Sequence, residues 1–441
     1  MKRAVVIGGG FAGLASATAL AARGAAVTVL EARPYLGGRA RSFRDEATDA
    51  VVDNGQHVLM GCYTETLAFL ERIAALAKLR RQRRPHVALR EAGGRGGAIA
   101  CPPLPGPLHM LAAVLRFQLL TPAERLRALS GGARLLFMRR RGDARLARLT
   151  VEQLLDLLAQ PAAVRRALWH PIAIATLNEA PARAAAAPFA EVLARAFFGR
   201  RRDAQLVLPA VGLSELYTED ARRFLEAHGG TVEMRAQVAS LELAPDRVAG
   251  VRLRDGRRLA ADACIAAVPP GALAAIVPPA LAPPPFETSP IVSVHLWYDR
   301  PVLRGDFVGL LGTRTQWLFD HSHAGSAGTG IHGLSAVLSA DREAVAWGRE
   351  RIVAAVAADV RLTCPAAGEA RLLRSVVVKE RHATIATTPE AERRRPPVAT
   401  AIDNLFLAGD WIATGLPPTI ESATLAGHRA ARATADRLEL H

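Results

Sequence analysis

Hydrophobic positions along the chain change period at regular points. Arg3 to Ile7 is an apolar run of strand length, and Phe11 to Arg23 is an alanine- and leucine-rich stretch of helix length. Gly24 interrupts it, and Ala26 to Leu30 makes a second strand run that ends in an acid, Glu31. The far end repeats the theme. Asn404 to Asp410 reads as a short buried strand, and a helix is predicted from about Thr419, after Gly415, Pro417 and Pro418. In the middle, Thr231 to Leu243 predicts one strand. Val248 to Leu253 and Arg257 to Ala267 flank Asp255-Gly256 as a hairpin. Helical periodicity marks Tyr63–Ala77, Pro122–Arg140, Val151–Ala159 and Arg342–Arg361. Strand-like runs occupy Ile291–Tyr298, Gln316–Phe319, Leu334–Ser339 and Leu372–Val378. No internal repeat is visible, and Pro278 to Pro290 is a stiff connector.

These elements predict an α/β fold. A Rossmann-like nucleotide-binding domain is assembled from residues 1–60, 205–275 and 395–441. Residues 61–204, read as mostly helical, and residues 276–394 form a discontinuous mixed α+β second domain. A length of 441 residues with half of them hydrophobic supports that much core. Charge adds little. The formal net charge is +15, and nearly all the cations are arginine spread along the chain. Clusters at Arg80–Arg84, Arg139–Arg141, Arg200–Arg202 and Arg393–Arg395 lack the interleaved aromatics of a nucleic-acid module, so no nucleic-acid partner is expected. They fit a solvated face or an anionic membrane surface. Four scattered cysteines have no metal-ligand or redox spacing; no metal site is expected, and a cytoplasmic location is. No apolar run nears the roughly 20 residues of a spanning helix, and no cleavable leader is read at the start.

The chemistry begins in the first turn. Gly8-Gly9-Gly10-Phe11-Ala12-Gly13 lies between strand and helix. Gly8 suits the tight turn, Gly10 the approach of a pyrophosphate, and Gly13 the packing of helix on strand. The helix start offers free N–H groups to that pyrophosphate. Glu31 is placed to accept from the hydroxyls of an adenosine ribose. Ala32, Arg33, Gly38 and Arg39 follow, where glycines admit a close approach and arginine can pair with a diphosphate. Val238 could lie beside adenine. Gly409 and Asp410 suit contact with a ribityl chain, and the helix start at Thr419 and Ile420 suits negative charge on a reduced flavin. The two ends would build one FAD site. Gly93 to Gly97 has the wrong spacing for a second nucleotide turn, so an external electron donor is expected.

The strand-Gly-Asp-helix ending resembles the second FAD fingerprint of the amine oxidase and phytoene desaturase superfamily. A closer resemblance is carried by Asp53 to Thr66, which opens Asp-Asn-Gly-Gln-His, and by Pro102–His109. Trp169-His170-Pro171-Ile172, Leu177-Asn178, Gln316–Asp320 and Lys379–Thr384 carry it further. Together these are similar to the squalene-associated FAD-dependent desaturase family, better described as hydroxysqualene dehydroxylases. The resemblance implies reductive removal of a hydroxyl from hydroxysqualene in squalene and hopanoid biosynthesis. It places Gly55, Gln56 and His57 on the way from the glycine-arginine segment to the flavin.

A proton donor for the leaving hydroxyl would be needed, since hydroxide leaves poorly. His57 is one candidate, against a role in holding its loop. Lys379 with its neighbours Glu380 and Arg381 is another, against a structural salt bridge. Asp320, at the end of Trp317-Leu318-Phe319, is a third. Asp53 reads better as a cap than as a catalyst. The alternatives to the dehydroxylase are a desaturase or amine oxidase of the same fold, or a non-enzymatic prenyl-binding carrier. Leu104 to Phe137 has apolar faces flanked by Arg116, Arg125, Arg127 and Arg139–Arg141, as in an interfacial helix pair or in helices packed on the second domain.

Overall fold

A computed structural model of the protein describes residues 2–46, 49, 51–320 and 331–440. Its first layer is a five-stranded parallel sheet. The strand order is Thr231–Met234, Ala26–Glu31, Arg3–Ile7, Ala263–Ala266 and Leu405–Leu407. Parallel strands buried on both faces need near-continuous apolar sequence, which Ala4 to Ile7 and Ala263 to Ala266 supply. The first helix, Phe11–Ala21, is buried at every position but Ala19. It is clamped by the last helix, Ile420–Leu438. The two come close because Gly427 has no side chain: a Cβ there would lie 2.3 Å from the Ala12 carbonyl oxygen. Gly427→Leu should therefore cost about 3 kcal/mol or more by overpacking, read as a fall in the urea midpoint at unchanged slope.

Two sequence expectations change here. Thr231–Leu243 is two strands, Thr231–Met234 in the parallel sheet and Val238–Leu243 in a separate antiparallel sheet with Val248–Leu253 and Arg258–Ala260. Arg235 turns the chain between them at φ 58°. Its N–H donates to the Arg33 carbonyl, and the Ala236 N–H donates to that of Glu31. Likewise the second arm of the hairpin stops at Ala260. Asp262 accepts from the Arg3 N–H at 2.8 Å, and Ala263–Ala266 crosses into the parallel sheet.

The second layer is a seven-stranded sheet in the order Leu372–Ile385, Thr288–Tyr298, His332–Ser339, Trp317–Asp320, Phe307–Leu311, His86–Glu91 and Gly96–Ala100. Its last two strands come from the segment expected to be mostly helical. The glycine run read as a failed nucleotide motif is their hairpin turn, with Gly93 and Gly94 both at positive φ. Side chains alternate across this sheet. Val292, Val294 and Leu296 pack with Ile352, Val356 and Val360 of the helix Arg349–Thr363. That helix starts later than expected, because a 3₁₀ turn at Ala344–Ala346 and Gly348 precede it. Ile291, Ser293, Trp317, Phe319 and Glu380 lie on the opposite face, which lines a large cavity.

Helices Leu108–Leu115, Pro122–Arg140, His170–Leu177 and Ala186–Phe197 roof that cavity, and with Val151–Leu157 behind them they share a core containing Trp169 and Phe189. Pro122–Arg140 has the predicted bounds. Thr121 and Glu124 form a reciprocal capping box, and Pro122 sits at the first helical position. Among the described residues no helix is long and apolar enough to cross a membrane.

Candidate active site

One cavity of about 1590 Å³ runs from the glycine turn, past the sheet face, to the helical roof. Small-ligand pockets typically hold about 300–1,000 Å³, so this chamber has room for a dinucleotide and a second long molecule.

At the nucleotide end the strand-helix turn leaves the space before Gly10 clear. A Cβ built there meets only the Gly37 carbonyl oxygen, at 3.9 Å. Gly13, by contrast, is packed so closely that a Cβ would sit 1.9 Å from the Gly8 carbonyl oxygen. Glu31 is buried, and its two oxygens accept from the Gly9 N–H at 2.8 Å and the Arg33 N–H at 2.9 Å. Ala32, Arg33 and Val238 line the same end. Phe11 and Ala12 border the cavity, but Phe11 stacks on Tyr217 in the core at 3.9 Å between ring centroids. Their part in the site is therefore that of backbone at a helix start.

The other chain end meets this one. Gly409, at φ 141°, swings Asp410 to the cavity wall. A Cβ on Gly409 would press the Trp411 ring at 2.8 Å, while Trp411 Nε1 donates to the Val268 carbonyl. Arg39 joins both ends. It donates to Asp410 Oδ1 at 2.6 Å and to the Ala383 carbonyl at 2.7 Å, and it borders the cavity with Gly38. Burial works against the Arg39 charge, but Asp410 and Glu380 outweigh it and hold its pKa above the ordinary value. Arg395, read in the sequence as part of a surface cluster, is instead a buried clamp. It donates to the carbonyls of Asp410 (2.8 Å) and Leu416 (2.7 Å) and pairs with Glu392. Thr419 caps the last helix by accepting from the Ser422 N–H, and Ile420 borders the chamber beside it.

Between these ends Asp53 to His57 overhangs the sheet. Asp53 is tied down as a cap, accepting from Ser42 Oγ at 2.6 Å and from the Leu213 N–H at 3.1 Å. Gly55, at φ 90°, passes over Ser293, whose Oγ is 3.5 Å from a built Cβ. Gln56 Oε1 is buried without a hydrogen-bond partner in a residue that lines the chamber. His57 Nδ1 lies 2.8 Å from the Gly55 carbonyl. A carbonyl only accepts, so Nδ1 carries a proton and Nε2 is the position free to exchange one. Burial, assisted by the Arg39 charge, lowers the His57 pKa, although the Gly55 carbonyl and Asp53 oppose the shift.

The other two acid candidates are placed elsewhere. Lys379 Nζ donates to the Trp347 carbonyl, and the strand's alternation puts it opposite Glu380, away from the cavity lining. Asp320 shares the parity of Leu318, which belongs to the core on the far face, whereas Trp317 and Phe319 line the chamber. Glu380 is the carboxylate that faces in. It accepts from Asn54 Nδ2 at 3.1 Å, and the same amide donates to the Arg39 carbonyl. His295 also escaped notice in the sequence. It is buried under the loop with Nδ1 2.6 Å from Ser335 Oγ and Nε2 3.2 Å from the Asp53 carbonyl. A histidine on the same strand parity as Ser293 was the available signal.

The donor set suits a flavin dinucleotide: a clear glycine turn, a buried carboxylate, an inward arginine and an unsatisfied amide oxygen share one chamber. Residues 11–435 match the flavin containing amine oxidoreductase family. The chain is 29% identical over 449 residues to a hydroxysqualene dehydroxylase of Sinorhizobium fredii, covering 98% of this chain and 97% of that one. It is 30% identical over 449 residues to one of Rhodopseudomonas palustris, with the same coverage. The fold matches an oxidoreductase from Methanosarcina mazei with a TM-score of 0.75 at 17% identity, over 98% of this chain and 100% of that one. The chain thus belongs to the flavin containing amine oxidoreductase family, in the group of the hydroxysqualene dehydroxylases, and is an FAD-dependent oxidoreductase.

Proposed function

We propose that the chain removes the hydroxyl of hydroxysqualene reductively, giving squalene and water. The observation that carries this reading is the chamber itself. A long apolar cavity opens onto the nucleotide end, and polar side chains gather where the two meet: Asn54, Gln56, His57 and Glu380. Amine substrates would call for charge recognition along that cavity; a C30 isoprenoid calls for apolar walls.

In this reading Gly8 and Gly10 with the backbone of Phe11 and Ala12 receive the pyrophosphate, Gly13 lets the helix pack close enough to hold that turn, Glu31 takes the ribose, and Val238 the adenine side. Ala32, Arg33, Gly38 and Arg39 complete that end. Gly55, Gln56, Gly409, Asp410, Thr419 and Ile420 enclose the ribityl and ring end. These residues would hold FAD, which when bound and reduced would supply the hydride for the new C–H bond, an external donor being needed to restore it. The chain's own residues do the rest. Trp317, Phe319 and the roof helices exclude water from the allylic carbon. Asn54 and Glu380 hold the loop against the sheet. His57, protonated, gives the proton at Nε2 to the departing hydroxyl, so that it leaves as water.

The direct test is anaerobic. The purified flavoprotein is reduced with dithionite, mixed with hydroxysqualene, and followed at 450 nm alongside product. Flavin reoxidation matched by squalene is the expected result. A flavin that stays reduced with no squalene would overturn the assignment and favour a desaturase or oxidase, tested with the oxidised enzyme on polyenes and amines.

A further inference from the structure

The roof of the chamber is also part of the outer surface, and that surface is apolar. Among the described residues, six of the twelve large hydrophobic side chains exposed to solvent fall between residues 104 and 137. Leu108, Leu111 and Leu115 recur at helical spacing along one face of Leu108–Leu115. On Pro122–Arg140, Leu126 and Phe137 lie three turns apart, 62% and 56% exposed. Leu108, Leu111 and Phe137 border the chamber as well, so apolar surface is continuous from outside to inside at this point.

The charges this segment itself contributes are nearly all of one sign, although Glu191 of a neighbouring helix pairs with Arg139. Residues 102–142 contain seven arginines and one acid, Glu124. Glu124 is folded back on Thr121 in the capping box. Arg116, Arg127, Arg134, Arg140 and Arg141 are exposed, and the Arg141 guanidinium lies over the Phe137 ring at 4.4 Å. An apolar stripe rimmed by arginine is matched by an anionic bilayer, whose headgroups take the cations while the acyl boundary takes the leucines. A second copy of this face would set arginine against arginine.

We infer that the Leu108–Leu115 and Pro122–Arg140 helix pair docks on an anionic lipid surface and forms the mouth through which an isoprenoid passes between bilayer and chamber. The passage rests on the proposed substrate; the docking does not.

The test uses the full flavoprotein in co-sedimentation with vesicles of phosphatidylcholine alone and with phosphatidylglycerol added. Wild type should bind the anionic vesicles, and bind less tightly as salt rises. Two variants avoid the chamber lining: Leu104→Ser with Leu115→Ser and Leu126→Ser, and Arg116→Gln with Arg127→Gln and Arg141→Gln. Each should lower anionic-vesicle binding at least tenfold while leaving the flavin spectrum and turnover of detergent-dispersed hydroxysqualene unchanged. Vesicle binding undiminished in both variants would overturn the inference. So would a wild type that ignores vesicles and instead self-associates through the three leucines. Vesicle binding lost on substitution, in a protein inactive on hydroxysqualene, would uphold the docking face and cost only the substrate assignment.

Discussion

Gly10→Asp should purify as a folded, colourless protein. Gly10 is the N-cap of the first helix and has extended backbone, φ −88° and ψ −172°, which any L-residue adopts. A Cβ there meets nothing nearer than 3.9 Å. No side chain caps this helix, so aspartate should add a few tenths of a kcal/mol to the flavin-free fold. The same carboxylate would project into the space assigned to the pyrophosphate and oppose its charge at close range. FAD affinity should fall at least about 100-fold, or about 2.7 kcal/mol. Thermal denaturation separates the two effects. Added FAD should raise the Tm of wild type by ligand linkage and leave that of the variant unmoved. A yellow variant with full flavin occupancy would show that the pyrophosphate is bound elsewhere.

His57→Gln should keep its flavin and lose turnover by about 100- to 1,000-fold, the usual worth of a general acid. The pH profile distinguishes that role from loop support. Burial holds the His57 pKa below the ordinary histidine value, so the imidazolium is scarce at neutral pH. Turnover that depends on it should rise as pH falls through the ordinary range near 6.5 and level off only below the lowered pKa. Above that point each pH unit removes about nine-tenths of the protonated form, a tenfold loss. The glutamine variant, with nothing to titrate there, should show a flat residual rate. Anaerobic single-turnover rates between pH 5.5 and 8 measure this. A flat wild-type profile, or an unchanged slope in the variant, would remove His57 as the donor and turn attention to Glu380.

Local signals in the sequence were sufficient where the structure is itself local. The strand Arg3–Ile7, its glycine turn, the helix and Glu31 lie within 31 residues, and each constrains the next. Pro122–Arg140 announced both ends because its cap and its proline are adjacent in sequence. What failed was pairing over distance. His86–Glu91 has one partner close by, Gly96–Ala100, but it joins the seven-stranded sheet only through Phe307–Leu311, more than 200 residues away and parallel. Lys379 and Glu380 were singled out together, yet only strand register decides which of two neighbours faces the chamber. Arg395 was hidden by an excess of arginine, which made a buried clamp look like one more surface cation.

The parallel sheet has a consequence for the order of assembly. Its central strand Arg3–Ile7 is made well before its edge strand Leu405–Leu407 and the helix that seals Phe11–Ala21. During synthesis the flavin cradle therefore waits, half built, for some four hundred residues to emerge. Contacts this remote in sequence close slowly. The cradle is then complete only once those distant elements have emerged, and until that point the chain displays a bare glycine turn and an uncovered alanine-rich helix.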